Sequence, residues 1–475
     1  MSSTIPTNST DGVETKTPRA GGGTIIVLPS PRRIHSRLTW LSLVLVAAVV
    51  LIALAAGLAS SLLADTSFRR DFGWIAAAAI FLSSYAALAV GRIPGLALDR
   101  AGIALVGAAM MVACSALPLD EAYRAVDLDT LTLLLGMMIV VAHLRLSGFL
   151  SLATAFATSR ATSPLALLIV ITVLSGVLSA FLVNDTICLV LTPLVIEASR
   201  SSRRNPIPYL LAVAMASNIG STATITGNPQ NMMIGSFSQI PYTDFAAVLS
   251  PVALVSLALV VVLIALMHRG DMKSDANVAI ASTEIKIDLV MGWKAIAGTV
   301  VLLALLFAGL PPAKAAIIIG ALLLLTRRIE SQRVYAEIDW SLLLMFAGLF
   351  IIVAGAEHTL LDKDTIARVM AFHFDRIPVL SGLTAVLSNL VSNVPAVLLL
   401  KPLVVSLPHQ RSAWLTVAMA STLAGNFTVI GSIANLIVVQ GAAASEIEVG
   451  FWDYFRVGAP LTLLTLALGT AWLSL

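Results

Sequence analysis

The sequence predicts an all-α polytopic membrane protein of about eleven transmembrane helices plus two re-entrant hairpins, arranged as inverted repeats. Three observations carry that expectation. The 475 residues are 58% hydrophobic and only 12% charged, against roughly 25% charged in soluble domains. Apolar runs recur from Leu38 to the C-terminus, and runs of about 18–25 residues cross a hydrocarbon core of about 30 Å at about 1.5 Å per residue. Finally, three pairs of similar segments occur in the same order along the chain.

Residues 1–37 are rich in Ser, Thr, Gly and Pro and end in "PRRIHSR". They read as a disordered cytoplasmic tail with basic residues before the first span. The apolar run that follows is too long for the h-region of a cleavable signal peptide. An extra N-terminal span at 38–63 precedes the first repeat, 64–268. That repeat holds spans at 72–92, 101–118 and 130–146, a hairpin at 164–198, a broken helix at 207–236 and a span at 247–268. A cytoplasmic loop at 269–292 leads to the second repeat, 293–475. Its spans are 293–310, 314–326 and 340–357, then a hairpin at 377–406, a broken helix at 413–441 and a last span at 457–475.

Each hairpin run is too long for one ordinary helix and carries polar residues near its middle. Entering and leaving on one side keeps the irregular backbone inside protein or a water-filled cavity. Residues 147–160 and 358–376 mix polar and apolar faces and suit interfacial connecting helices.

Orientation follows from the 29 Lys and Arg. With the N-terminus inside, twenty fall on the cytoplasmic side, eight outside, and Lys401 lies within a hairpin. That bias obeys the positive-inside rule and puts the C-terminus outside the cell membrane; "FRRDF" at 68–72 opposes it locally. Hairpin one then opens to the cytoplasm and hairpin two to the outside. His143, Arg145, Glu357 and His358 stand at span ends as interface anchors. Lys401 is about 12 Å along a helix from Asn393 and is placed to snorkel, or else to attract anions in the external vestibule. Cys114 and Cys188 lie in apolar runs and read as packed free thiols.

The repeat is visible in three alignments. Asp127–Ala142, "DLDTLTLLLGMMIVVA", matches Asp339–Ala354, "DWSLLLMFAGLFIIVA". "VNDTICLVLTPL" (183–194) matches "SNVPAVLLLKPL" (392–403), pairing Asn184 with Asn393. "AMASNIGSTATITGNPQN" (214–231) matches "AMASTLAGNFTVIGSIAN" (418–435). The offsets are 212, 209 and 204 residues. The topology sets the two members of each pair in opposite orientations. Inverted repeats with helices broken near the midplane are a secondary-transporter architecture.

A helix broken within a membrane frees N–H groups at one new end and C=O groups at the other. The positive ends attract anions and the carbonyl ends cations. Gly220, Gly227 and Pro229 permit the first break, flanked by Ser221, Thr222, Thr224, Thr226, Asn228 and Asn231. Gly425, Asn426, Thr428, Gly431, Ser432 and Asn435 do the same in the second. The hairpin middles add Asn184, Asp185, Thr186, Ser392 and Asn393. The candidate substrate-binding groups are therefore Asn184, Thr186, Gly227, Asn228, Pro229, Ser392, Asn393, Gly431 and Asn435. The candidate cation-coupling groups are Asp185, Asn184, Ser221, Thr222, Thr224, Asn393, Asn426 and Thr428. Asp185 is the one acid the topology places near the membrane centre, where carboxylates are costly and functional. It also stands where a capping carboxylate would begin the hairpin's second arm.

"VNDTICLVLTP", "STATITGNPQN", "VSNVPAVLLLKP" and "GNFTVIGSIAN" resemble motifs of the ion transporter superfamily. More narrowly they resemble the divalent anion/sodium symporter and citrate-transporter-like group, with arsenite permeases and NhaD-type antiporters as relatives. The resemblance covers roughly residues 70–475. It implies an eleven-span protomer in a homodimer, with a scaffold and a transport part moving as an elevator. It also implies Ser-Asn-Thr at both hairpin tips holding substrate carboxylates, with Na⁺ beside the tips and broken helices. Here tip one reads Asn184-Asp185-Thr186, and tip two reads Ser392-Asn393-Val394 followed by Pro395.

The expected activity is secondary active transport of a small anion, a di- or tricarboxylate or an inorganic oxyanion, coupled to Na⁺ or H⁺. The alternatives are an NhaD-type Na⁺/H⁺ antiporter, an arsenite permease and, last, a passive channel. The chain lacks a GxxxxGK phosphate loop, HExxH and GxSxG, so neither ATP drive nor hydrolytic enzyme chemistry has support. No cofactor beyond Na⁺ and no nucleic-acid partner is expected.

Overall fold

The computed structural model describes residues 55, 66–91, 96, 98–161, 163–273, 288–325, 329–360 and 373–475. The expected tail at 1–37 and nearly all of the extra span at 38–63 lie outside the described residues. So do most of the loop at 269–292 and of the connecting helix at 358–376.

All regular structure among the described residues is helical. The first half runs α1 (Thr66–Val90), α2 (Arg100–Ala113), α3 (Leu119–Ala125), α4 (Leu128–Leu146), α5 (Phe149–Ser159), α6 (Pro164–Phe181), α7 (Asn184–Ser201) and α8 (Ile207–Ser221). A 3₁₀ turn at Ile225–Gly227 follows, then α9 (Pro229–Ser238), α10 (Tyr242–Met267) and the single turn α11 (Arg269–Met272). The second half runs α12 (Leu289–Phe307), α13 (Pro312–Leu324), α14 (Ser331–Ala336), α15 (Trp340–Leu360), α16 (Ile377–Val391), α17 (Asn393–Val405) and α18 (Gln410–Ala424). A second 3₁₀ turn at Val429–Gly431, α19 (Ile433–Ala444) and α20 (Phe451–Leu473) complete it.

Seven helices among the described residues are long and apolar enough to cross a membrane: α1, α4, α6, α10, α12, α15 and α20. The inclusion of α6 refines the hairpin expectation. The apolar run at 164–198 divides into two helices of 18 residues each, α6 and α7. The first arm alone is as long as a span.

The helix order repeats. α1–α4 correspond to α12–α15, and α6–α10 to α16–α20, with the 3₁₀ turns in matching places. The packing is reciprocal as well: α2 lies on α15, and α13 lies on α4. Small residues permit both close approaches. A Cβ at Gly136 in α4 would lie 2.6 Å from the Ala316 carbonyl carbon, and one at Gly348 in α15 would lie 2.7 Å from that of Ala104. The same step of 212 residues that aligns Gly136 with Gly348 carries Ala104 to Ala316. Equivalent aspartates also start equivalent helices. Asp127 accepts from the Asp129 N–H at 3.1 Å, and Asp339 accepts from the Leu342 N–H at 2.9 Å. Such caps contribute about 1 kcal/mol each.

Of the expected surface anchors, one is buried and others find protein partners. His143 is only 2% exposed, with Nδ1 2.8 Å from the Ile139 carbonyl. It turns inward because α4 is enclosed by α13, α12 and α14. Arg145 pairs with Glu337 at 2.6 Å, and His358 lies 3.9 Å from Glu121. Lys401 does not simply extend to an interface; its Nζ lies 4.8 Å from the centre of the Phe237 ring. Cys114 and Cys188 are both buried thiols, as the sequence led us to expect.

Candidate functional site

The two broken helices use the same backbone path. α8 stops at Ser221 and Thr224 is extended (φ −139°, ψ 163°), as is Asn228 (φ −154°, ψ 161°), before α9 resumes at Pro229. Thr428 (φ −137°, ψ 164°) and Ser432 (φ −144°, ψ 145°) flank the second turn in the same way. Breaking α8 and α18 strands carbonyls at their C-terminal ends. In each copy one asparagine amide recovers two of them. Asn231 Nδ2 donates to the carbonyls of Ser221 and Thr224, both at 3.0 Å. Asn435 Nδ2 donates to those of Gly425 at 2.7 Å and Thr428 at 3.2 Å. An offset of 204 residues maps every member of the first set onto the second. Gly227 is required sterically, since a Cβ there would strike the Ser221 backbone.

Cross-links between the copies are reciprocal. Asn228 Nδ2 donates to Thr422 Oγ1 at 3.2 Å, and Ser432 Oγ donates to Asn218 Oδ1 at 3.0 Å. These bonds exchange places under the same alignment. Asn218 goes further. Its Nδ2 donates to Oδ1 of Asn426 and of Asn435, and its Oδ1 also accepts from Asn184 Nδ2 at 3.1 Å. All four hydrogen-bonding positions of this fully buried amide are used. Main-chain carbonyls, which only accept, fix the orientations of Asn426 and Asn435. The orientation of Asn184 follows through Asn218, and its buried Oδ1 is left without a hydrogen-bond donor.

The hairpin tips are tight. α6 ends at Phe181, Leu182 is extended, and α7 begins at Asn184. Val183 occupies the N-cap position without a side-chain bond, so Asp185 does not serve as the cap. At tip two, Ser392 alone joins α16 to α17, with φ 76° and ψ 161°. That conformation costs a non-glycine residue about 1–3 kcal/mol and is found mainly at functional sites. Its neighbours hold it: Ser388 Oγ lies 2.5 Å from Asn393 Oδ1, and Tyr85 of α1 donates to the Pro395 carbonyl at 3.2 Å.

Both tips and both breaks meet at one inner cavity of about 30 Å³, room for about one water molecule. Asn184 and Asp185, Pro229 and Gln230, Ser392 and Asn393, and Ser432 and Ile433 line it. These are the first residues of α7, α9, α17 and α19 and their immediate neighbours. Four helix N-termini therefore face one small space, and their free N–H groups favour negative charge there. A second cavity of about 530 Å³ shares Arg100, Leu342, Met345, Ser392 and Ile433 with the first.

Of the residues singled out by sequence, Asn184, Asp185, Pro229, Ser392, Asn393 and Ser432 line the inner cavity. Asn228, Asn426 and Asn435 form the network behind it, with Gly227 and Gly431 at the turns. The hydroxyls of Ser221, Thr222 and Thr224 are engaged by the carbonyls of Asn218, Asn218 and Ala180. Thr186 and Thr428 do not line the inner cavity. Sequence reasoning missed Asn218, Gln230 and Arg100. Asn218 and Gln230 belong to the aligned motif but precede or follow the obvious break, and Arg100 entered only as a topological charge.

Comparison with known proteins follows the same direction. Residues 85–424 match the family model described as "Citrate transporter". An uncharacterized transporter of Mycobacterium tuberculosis is 29% identical over 84% of this chain and 97% of its own length. The silicon efflux transporter LSI3 of Oryza sativa subsp. japonica is 28% identical over 79% of this chain and 93% of its own. The putative transporter arsB of Dictyostelium discoideum is 24% identical over 82% and 89%. Among solved structures, the Alcanivorax borkumensis YdaH transporter superposes with a TM-score of 0.56 at 16% identity, over 75% of this chain and 86% of that one. That likeness speaks for the fold alone.

Proposed function

The chain belongs to the citrate transporter family, and from that membership and the inner cavity we propose that it is a secondary active transporter carrying a small anion across the cell membrane, coupled to Na⁺ or H⁺. Family membership makes it a membrane transporter rather than an enzyme. The anion and the coupling ion belong to the proposal. One observation carries it: four helix N-termini and both hairpin tips converge on one buried space. A di- or tricarboxylate, or an inorganic oxyanion, places its charge against the N–H groups of α9, α17 and α19. The cation sits at tip one, where the unpartnered Asn184 Oδ1 and the Asp185 carboxylate supply oxygen.

In this reading α1–α4 and α12–α15 are the scaffold, and α6–α10 and α16–α20 are the moving part. The inverted topology puts Gly91, Asp99, Arg100 and Asp339 on the cytoplasmic side. The 530 Å³ cavity they line is then an inward-facing vestibule.

A second reading has its own observation. Asp185 is an acid at a position where the family pattern has an amide, which suits an Na⁺/H⁺ exchanger or an arsenite permease. The rice relative is named a silicon efflux transporter, which supports including a neutral hydroxide solute in that reading. Proteoliposomes decide between the two. Accumulation of labelled citrate or sulfate that depends on a Na⁺ or proton gradient supports the anion reading. Proton movement against Na⁺ with no anion uptake, or uptake of arsenous acid alone, replaces it.

A further inference from the structure

We propose that Arg100 is the counter-charge for the transported anion, so that its guanidinium selects a substrate carrying at least one full negative charge, a carboxylate or an oxyanion. This inference rests on the anion reading above and sharpens its substrate class.

Arg100 is the first residue of α2, on the scaffold side of the inner cavity, opposite the hairpin tips. It lines both the inner cavity and the 530 Å³ vestibule, and so stands where they join. Its side chain runs back over Gly91, where a Cβ would lie 3.4 Å from Nε. Gly91 (φ 78°) thus leaves the path open in two ways, by conformation and by having no side chain.

Arg100 is only partly exposed, yet it makes no hydrogen bond or ion pair among the described residues. The nearby carboxylates have other work. Asp99 caps α2 through the Gly102 N–H at 2.8 Å, and Asp339 caps α15 through the Leu342 N–H at 2.9 Å. Asp185 lines the inner cavity but lies outside ion-pair distance of Arg100.

A partly desolvated cation without a partner is unfavourable, and a bound anion relieves it. The planar fork of donors matches a carboxylate or a tetrahedral oxyanion through two parallel bonds. Helix N-termini offer partial charge and accept a neutral, polar solute too. The guanidinium adds the full charge that separates an anion from a neutral hydroxide.

The test uses purified full-length wild type, Arg100→Gln and Arg100→Lys, with equilibrium binding of [¹⁴C]citrate and [³⁵S]sulfate and with arsenous acid as the neutral probe. The thermal midpoint of each variant reports folding. Removing a charged hydrogen-bonding partner is expected to weaken binding of the recognised anion by about tenfold or more. Arg100→Lys keeps the charge, loses the fork and is expected to lie between. Wild-type anion affinity in a folded Arg100→Gln overturns the proposal and leaves the anion reading standing. Should Arg100→Gln fail to fold, Arg100→Lys decides, and unchanged affinity there overturns the proposal. If wild type binds neither anion but takes arsenous acid, the anion reading falls and the role of Arg100 falls with it.

Discussion

Asn218 Nδ2 donates to Asn426 Oδ1 across 2.9 Å, although the residues are 208 positions apart. One amide belongs to the end of α8 and the other to the stretch just past α18. The bond therefore ties the first broken helix to the second, between two fully buried side chains. Asn218 also holds Asn435, Ser432 and Asn184, so one side chain connects both breaks and tip one.

Asn218→Leu removes two donors and one shared acceptor at once. Each buried polar group left without a partner costs about 1–3 kcal/mol. The expected result is a clear fall in the thermal midpoint of detergent-purified protein, with Asn218→Asp nearly as damaging because a carboxylate cannot donate to Asn426 and Asn435. A wild-type midpoint in both variants contradicts the network's structural role.

The tips should report on ligand as well as on stability, since Asn184 also donates to Asn218 and Asn393 is held by Ser388. Asn184→Ala and Asn393→Ala are each expected to weaken binding of the transported anion by about 1–3 kcal/mol if the lost amide contact is buried. Saturation curves in proteoliposomes measure this. Unchanged half-saturation in both variants counts against the hairpin-tip site.

Asp185 has a different expected signature. It does not cap α7, so Asp185→Asn should express and fold normally. Its expected effect is on dependence of uptake on Na⁺ or on the proton gradient. An ion dependence identical to wild type removes Asp185 from the coupling role.

Gly136 and Gly348 test the repeat itself. A side chain at either position meets the backbone of a facing helix, at Ala316 or at Ala104. Overpacking of this kind typically costs about 1–3 kcal/mol. Gly136→Val and Gly348→Val should therefore lower the midpoint by similar amounts. Gly382→Val should have little effect by comparison, since nothing lies within 4 Å of a Cβ there.

Much of this arrangement was legible before any coordinates. The offset of 204 residues, read from letters alone, predicts that Asn231 and Asn435 do the same work, and their amides bond matching carbonyls. Glycine, proline and asparagine announce a break because their effects on the backbone are local. What was not legible depends on distant partners. Asn218 is an ordinary helical residue until Asn184 and Asn426 are brought to it. His143 ends an apolar run, as an interface anchor does, and only the packing of α13 and α14 around α4 explains its burial. Arg100 counts as one more cytoplasmic charge in sequence, because nothing local shows that α2 begins at the hairpin tips. Ser392 was marked as a tip residue, but its positive-φ conformation gave no signal, since it is imposed by the surrounding fold.

The central claim is that two copies of one unit, facing opposite ways, carry their hairpin tips to a common cavity from opposite sides of the membrane. Side-specific labelling tests it most directly. Ser159, at the entry to hairpin one, and Ser406, at the exit of hairpin two, are both exposed, and the native thiols of Cys114 and Cys188 are buried. Ser159→Cys and Ser406→Cys are each treated with a membrane-impermeant maleimide on intact cells and on inside-out vesicles. The account predicts that Ser406→Cys reacts on cells and Ser159→Cys only in the vesicles. Reaction of both from the same side contradicts it.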